Sequence, residues 1–166
     1  MGPFPAVHPG RFTDAGDEEL TVFLIGMRFN KPWKVHRWLP VFVAMPRMIV
    51  HLKRHPAQGL LGLHGWAGRT ILILQYWRSV EELQAFASAA DAPHLAPWRR
   101  FMKTVGNDDA VGIWHETYRV APDHRESIYV NMPAFGLAQA TEHAPVDHGS
   151  RTAKQRMSRR GGRSAG

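Results

Sequence analysis

Val111-Gly112-Ile113-Trp114-His115-Glu116-Thr117-Tyr118-Arg119-Val120 is the stretch on which the reading of the fold turns. Gly106-Asn107-Asp108-Asp109 stands before it and Ala121-Pro122-Asp123 after it, both strong turn chemistry. Between those stops the residues are largely β-branched and aromatic, which predicts a strand. Side chains alternate across a strand, so Ile113, His115, Thr117 and Arg119 share one face, and Trp114, Glu116 and Tyr118 the other. Each face thus carries ionisable groups beside large apolar surface. In a strand covered on both sides such groups need partners or have a task.

Working outward, Leu20 to Asn30 (LTVFLIGMRFN) is apolar on both alternating faces and reads as a central strand covered on two sides. A helix is expected at about 34–55, with Val35, Trp38, Leu39, Phe42, Val43, Ile49 and Leu52 at 3.6-residue spacing; Pro46 should kink or divide it. Leu60 to Trp66 and Arg69 to Trp77 read as two strands joined through Ala67-Gly68. Ser79 is a good N-cap, with Glu81 and Glu82 in the first turn that follows. Asp91-Ala92-Pro93 interrupts that helix, and a second piece is expected at about 94–104. Ser127 to Met132 closes the set as a short strand, and Pro133 to Ala138, broken by Pro and Gly, caps an opening.

The order β-α-β-β-α-β is that of a ferredoxin-like α+β unit. Its helices would lie on one face of an antiparallel sheet whose strands are apolar on both. No remaining segment looks large enough to cover the second face, so a second copy is expected to do so, giving a homodimer. Residues 19–142 form the expected domain, behind an irregular arm at 1–18 rich in Pro, Gly and acids, and ahead of a basic, disordered tail at 143–166.

The net charge of +7 would suggest nucleic acid until it is located. Arg151, Lys154, Arg156, Arg159, Arg160 and Arg163 stand in the tail with no acid among them, so the remainder is close to neutral. That argues against nucleic acid as a partner. With no cysteine there is no disulfide, thiolate chemistry or cysteine zinc site. No apolar run approaches the roughly 18–20 residues that span a bilayer, so no membrane partner is expected. Nor does the N-terminus read as a secretory signal, and the expected location is cytoplasmic.

Dinucleotide, phosphate-loop, zinc-helix and serine-nucleophile motifs are all absent. His51 and His55, four apart on one helix, are too few ligands for a metal site, and Asp123-His124-Arg125-Glu126 reads as a solvated turn. Three places stand out. His115, with Glu116 and Tyr118, is either a structural group bonding its neighbours or a base, or haem ligand, beside substrate-orienting groups. His94, Trp98 and Phe101 align at i, i+4 and i+7 and are core or a pocket wall. Asn30, Arg47, Gln75 and Asn131 could fringe an apolar pocket to which Trp38 and Trp114 also contribute. Six Trp, eight Phe, seven Met and three Tyr supply large, adaptable walls for a flat, apolar ligand.

The element order, Tyr76-Trp77-Arg78-Ser79, the HLAPWRRF segment from His94 to Phe101, the GIWHETY strand and the following YVNMPAFGLA resemble one family over roughly residues 18–142. It is the fumagillin-pathway monooxygenase-like family of the dimeric α+β barrel superfamily. The resemblance implies a homodimeric barrel of ferredoxin-like protomers, each with a pocket between helices and sheet. Superfamily relatives include cofactor-independent quinone-forming monooxygenases, haem-degrading monooxygenases, haem-using aldoxime dehydratases and chlorite dismutases. The haem-degrading branch places a histidine on the second helix, where Trp98 falls closer than His94.

The expected function is therefore a monooxygenase-like oxidoreductase of secondary metabolism. It would act on an apolar aromatic, polyketide- or terpenoid-derived metabolite, with His115, Glu116 and Tyr118 as catalytic candidates and no cofactor. The alternatives are a haem enzyme of the aldoxime dehydratase or chlorite dismutase kind, ligated by His115 or His94, and a non-catalytic ligand-binding dimer.

Overall fold

The structure, a computed structural model, describes residues 5–89 and 109–161. The helical piece expected at about 94–104, with His94, Trp98 and Phe101, lies outside those residues, as does the side chain of Arg47. In chain order the described elements are β1 (His8–Asp14), β2 (Leu20–Phe29), α1 (Val35–Arg54), β3 (Leu60–Trp66), β4 (Thr70–Trp77), α2 (Val80–Ser88), β5 (Val111–Val120), β6 (Tyr129–Met132), α3 (Gly136–Ala140), β7 (His143–Pro145) and α4 (Ala153–Gly161).

β2, β3, β4 and β5 form one antiparallel sheet in the order β3-β4-β2-β5. With α1 and α2 as the connections, this is the ferredoxin-like βαββαβ topology that the sequence predicts. β2 is central, pairing with β4 from Thr21 to Arg28 and with β5 along its whole length. That accounts for its apolar residues on both faces. The Ser79 hydroxyl accepts the backbone N–H of Glu82 at 3.2 Å and starts α2 as expected. α1 runs through both Pro40 and Pro46 as one helix, so of the two outcomes expected at Pro46, division does not occur.

One face of the sheet carries the core, in two patches. Met27, Ala110 and Val111 gather Phe29, Trp38, Ile71 and Ile113 at one end. Leu52, Trp77, Leu83 and Phe86 gather Phe23 and Leu60 at the other. Trp38 and Leu52 come from α1, and Leu83 and Phe86 from α2, so this is the helix face. The strand residues concerned are almost all odd-numbered, as period-two alternation requires.

The opposite face is covered differently from the expectation. β6, β1 and β7 form a second antiparallel sheet in that order, and α3 lies between its outer strands in sequence. A Cβ at Gly62 of β3 would touch Ala140 of α3, the His64 ring lies 4.0 Å from that of Phe135, and Tyr76 is buried beside Gly136. The chain itself therefore covers β3 and part of β4. Among the described residues no element covers that face over β2 and β5, and Tyr118 there is 50% exposed.

Three readings of composition are overturned here. The arm at 1–18 is not irregular throughout: His8–Asp14 is the middle strand of the small sheet, and its Pro9 and Gly10 fall where the register with β6 shifts. Gly10 takes φ +102°, and a bulge is where a strand tolerates Pro and Gly. The tail at 143–166 contains β7 and α4, because Arg156 is buried against Glu126 at 2.7 Å and donates to the Ser150 and Arg151 carbonyls. Nor is Asp123 to Glu126 simply solvated. Arg125 is 6% exposed and Asp14 only 1% exposed, and they pair at 3.3 Å.

Candidate functional site

The row of strand residues between the two core patches is where the helix face offers a reactive group. Register places Ile25 between Ile73 of β4 and His115 of β5, and places Phe23 between Gln75 and Thr117 in the next row. Ile73 and Gln75 are buried, Ile25 and Phe23 half-buried, and His115 exposed. The His115 ring lies 5.8 Å from that of Phe23, tilted by 45°. His115 thus stands at the open end of an apolar floor, on the side of the sheet to which α1 belongs. Aliphatic and aromatic neighbours give an apolar substrate surface to rest on. The imidazole has ring nitrogens suited to accepting a proton or binding a metal.

Trp38 walls this region from α1. Its indole N–H donates to the Pro32 carbonyl at 2.9 Å, fixing the ring edge-on to Phe29 at 4.8 Å and to Phe42 at 6.0 Å. Gln75 accepts the Trp77 indole N–H at 2.9 Å, so its carbonyl orientation is set from within the core. Asn30 has a structural task, donating to the Asp109 carbonyl at 3.0 Å at the entrance to β5.

Glu116, Tyr118 and Trp114 point the other way. The Tyr118 hydroxyl donates to Glu116 at 2.6 Å, and that bond together with the carboxylate charge raises the phenol pKa. Trp114 lies over Gly26, its partner on β2, where a Cβ would run into the indole. His115 is therefore separated by the sheet from the two residues grouped with it in sequence. Asn131 sits elsewhere again, in β6, with φ +52° and its side-chain carbonyl accepting the Gly10 N–H at 2.9 Å. Phe23 and Ile25, the floor beside His115, were not singled out in the sequence. Their alternation was visible, but the register that sets them beside His115 was not.

A second polar cluster lies at the junction of the two sheets. The Gly136 N–H donates to His64 Nε2 at 2.9 Å, and the Ala138 N–H donates to the Tyr129 hydroxyl at 3.2 Å. Burial lowers the His64 pKa, because the charged imidazolium is poorly solvated there. Burial, with Tyr129 and then Asp14 adding to it, pushes the Tyr76 phenol up to about 12. His143 stacks on Phe12 at 4.4 Å, and its pKa is lowered by burial and then by His8. These groups hold α3 and the small sheet and offer no free nucleophile. Among the described residues no group of three or more His, Cys, Asp or Glu could hold a metal ion.

A histidine whose folded pKa lies below its unfolded value stabilises fully above the unfolded value and loses that contribution as the pH falls through the folded one. The melting temperature should therefore fall between about pH 7 and 5. His64→Gln, which keeps an acceptor but cannot titrate, should flatten part of that slope in a thermal melt series. An unchanged slope would remove His64 from the effect.

Against known proteins, the pattern of the family described as monooxygenase af470-like matches residues 20–137. The curated protein Monooxygenase af470 of Aspergillus fumigatus is 30% identical over 129 residues, 71% of this chain and 45% of that protein. The chain thus spans about half the length of the curated relative. Among solved structures, aldoxime dehydratase in complex with butyraldoxime superposes with a TM-score of 0.66 at 14% identity, over 83% of this chain and 41% of that one. At that identity the likeness is one of fold.

Proposed function

The chain belongs to the monooxygenase af470-like family, and from that premise we propose that it oxidises an apolar metabolite held between α1 and the sheet, with His115 as the base. The observation that carries this reading is the placing of His115 in the gap between the two core patches, beside Phe23 and Ile25. A substrate with an activated methylene would lie on that floor. The imidazole takes one proton, and the carbanion passes an electron to dioxygen. Recombination of the radical pair gives a peroxide, which loses water as the second C–H proton leaves. The methylene and one dioxygen thus become a carbonyl and one water, and the methylene carbon supplies all the electrons, so no external reductant is needed.

Glu116 and Tyr118 then serve the other face, which a second copy of the chain would cover by sheet-to-sheet packing in a homodimer. Supporting this, the sheet is half-open there at Val22, Leu24 and Trp114.

Haem is the second reading, favoured by the same exposed imidazole. The His115 imidazole would hold a haem iron, with Phe23, Ile25 and Ile113 as apolar contacts, and haem would supply the redox chemistry that the side chains lack. The test is oxygen uptake with anthrone, an apolar compound with an activated methylene, alongside an absorption spectrum before and after hemin. Uptake without added cofactor and no saturable Soret band are expected. Saturation at one hemin per chain would install the haem reading, and no uptake under either condition would leave a ligand-binding dimer.

A further inference from the structure

α1 carries more apolar surface than the core uses. Trp38 and Leu52 turn inward to the two core patches, which accounts for one side of the helix. Val35, Leu39, Phe42, Val43 and Val50 are each between 43% and 46% exposed, and Trp33, just before the helix, is 73% exposed. Exposed Pro46 completes their series, which runs i, i+4, i+7, i+8, i+11 and i+15 along one face. A surface helix of a globular protein presents charge there, and this one presents a continuous apolar stripe about 25 Å long.

The charge around the stripe has one sign. From Leu20 to Val80 the chain holds no Asp or Glu but nine Lys and Arg, six of them between Lys31 and Arg54. Among the described residues, Asp109 holds Lys31 at 2.5 Å beyond the start of the helix, and Glu82 holds Arg78 at 3.5 Å beyond its end. His36 and Arg54 stand exposed on the helix. An apolar stripe flanked by cations, with a tryptophan at its end, matches the interface of an anionic bilayer, where apolar groups enter the acyl boundary and cations meet the headgroups. No helix among the described residues is long and apolar enough to cross a membrane, so the helix would lie on the surface.

We propose that α1 docks the protein on an anionic lipid surface, with Trp33, Leu39, Phe42 and Val43 as the inserted groups. This departs from the sequence expectation of no membrane partner, which weighed only spanning segments. It stands whether or not the chain is an oxidoreductase. If it is one, the helix rests on the phase in which an apolar metabolite dissolves.

The test is sedimentation of the full chain with phosphatidylcholine vesicles, with and without phosphatidylglycerol, for wild type and L39S/F42S/V43S. Circular dichroism and the melting temperature report whether the variant keeps its fold. Binding is expected only with phosphatidylglycerol, and the triple variant should weaken it at least about ten-fold, through lost apolar burial. Quenching of tryptophan fluorescence by brominated lipid, reduced in Trp33→Phe, reads the same contact if the triple variant misfolds. Absence of wild-type binding would overturn the proposal, as would equal binding by the variant, which would assign it to the basic segment after Arg151. So would a triple variant that breaks up a larger assembly on size exclusion, since the stripe would then be a contact between copies.

Discussion

Replacing Arg125 by Met should destabilise the protein by about 3–5 kcal/mol, the usual cost of leaving one partner of a buried ion pair alone. For a chain of this size that lowers the melting temperature by roughly 6–20 °C. The guanidinium is the hub of the junction between the sheets. It meets the Asp14 carboxylate at 3.3 Å and donates to the Glu18 carbonyl at 2.8 Å and the Gly16 carbonyl at 3.0 Å. Asp14 in turn accepts the Gly16 N–H at 2.9 Å and the Thr141 hydroxyl. Without Arg125 the carboxylate stays in a site that is 1% exposed, and two carbonyls lose their donor. Asp14→Asn combined with Arg125→Met should recover part of the loss, because no bare charge remains. A single variant that melts like wild type would show the pair to be dispensable.

Replacing His115 by Ala should lower turnover by about 10²–10⁴-fold, the usual contribution of a positioned base, while leaving melting temperature and oligomeric state unchanged. The separation of the two effects follows from geometry. His115 is exposed, belongs to neither core patch and contacts the Phe23 ring, so its removal opens no cavity. Glu116→Gln removes a charge and Tyr118→Phe a hydrogen bond on the far side of the sheet, and both should leave the rate per folded chain near wild type. Unchanged turnover in His115→Ala would remove it from the mechanism.

The strands could be read from the sequence because their signals are local. LTVFLIGMRF and TILILQYW are apolar on both alternating faces, and Ser79 with Glu82 marks where α2 begins. The small sheet could not be read that way. Its pairings join residues such as Asp14 and His143, far apart in the chain, and β7 has only three residues, too few for any period to show. Arg125 and Arg156 were misread for a related reason: a charged residue in a turn or a basic segment is normally solvated, and only the distant Asp14 and Glu126 make burial tolerable. At the site, period two already separated His115 from Glu116 and Tyr118. Which face the helices take, and that Trp114 lies over Gly26, needed the tertiary structure.

The small sheet also sets the order in which the molecule can be made. β1 is its middle strand, yet both neighbours, β6 and β7, lie more than a hundred residues later in the chain. As the chain leaves the ribosome, β1 is available early and has nothing to pair with until residues 129–145 appear. Such non-local pairings close slowly, because the intervening chain must first be brought to order. Until then Gly62, His64 and Tyr76 lack their cover, and the nascent chain presents a bare apolar surface together with an unpaired strand. The dangerous interval therefore lasts from the emergence of β1 until residues 129–145 have followed it, and a holding chaperone would matter most then.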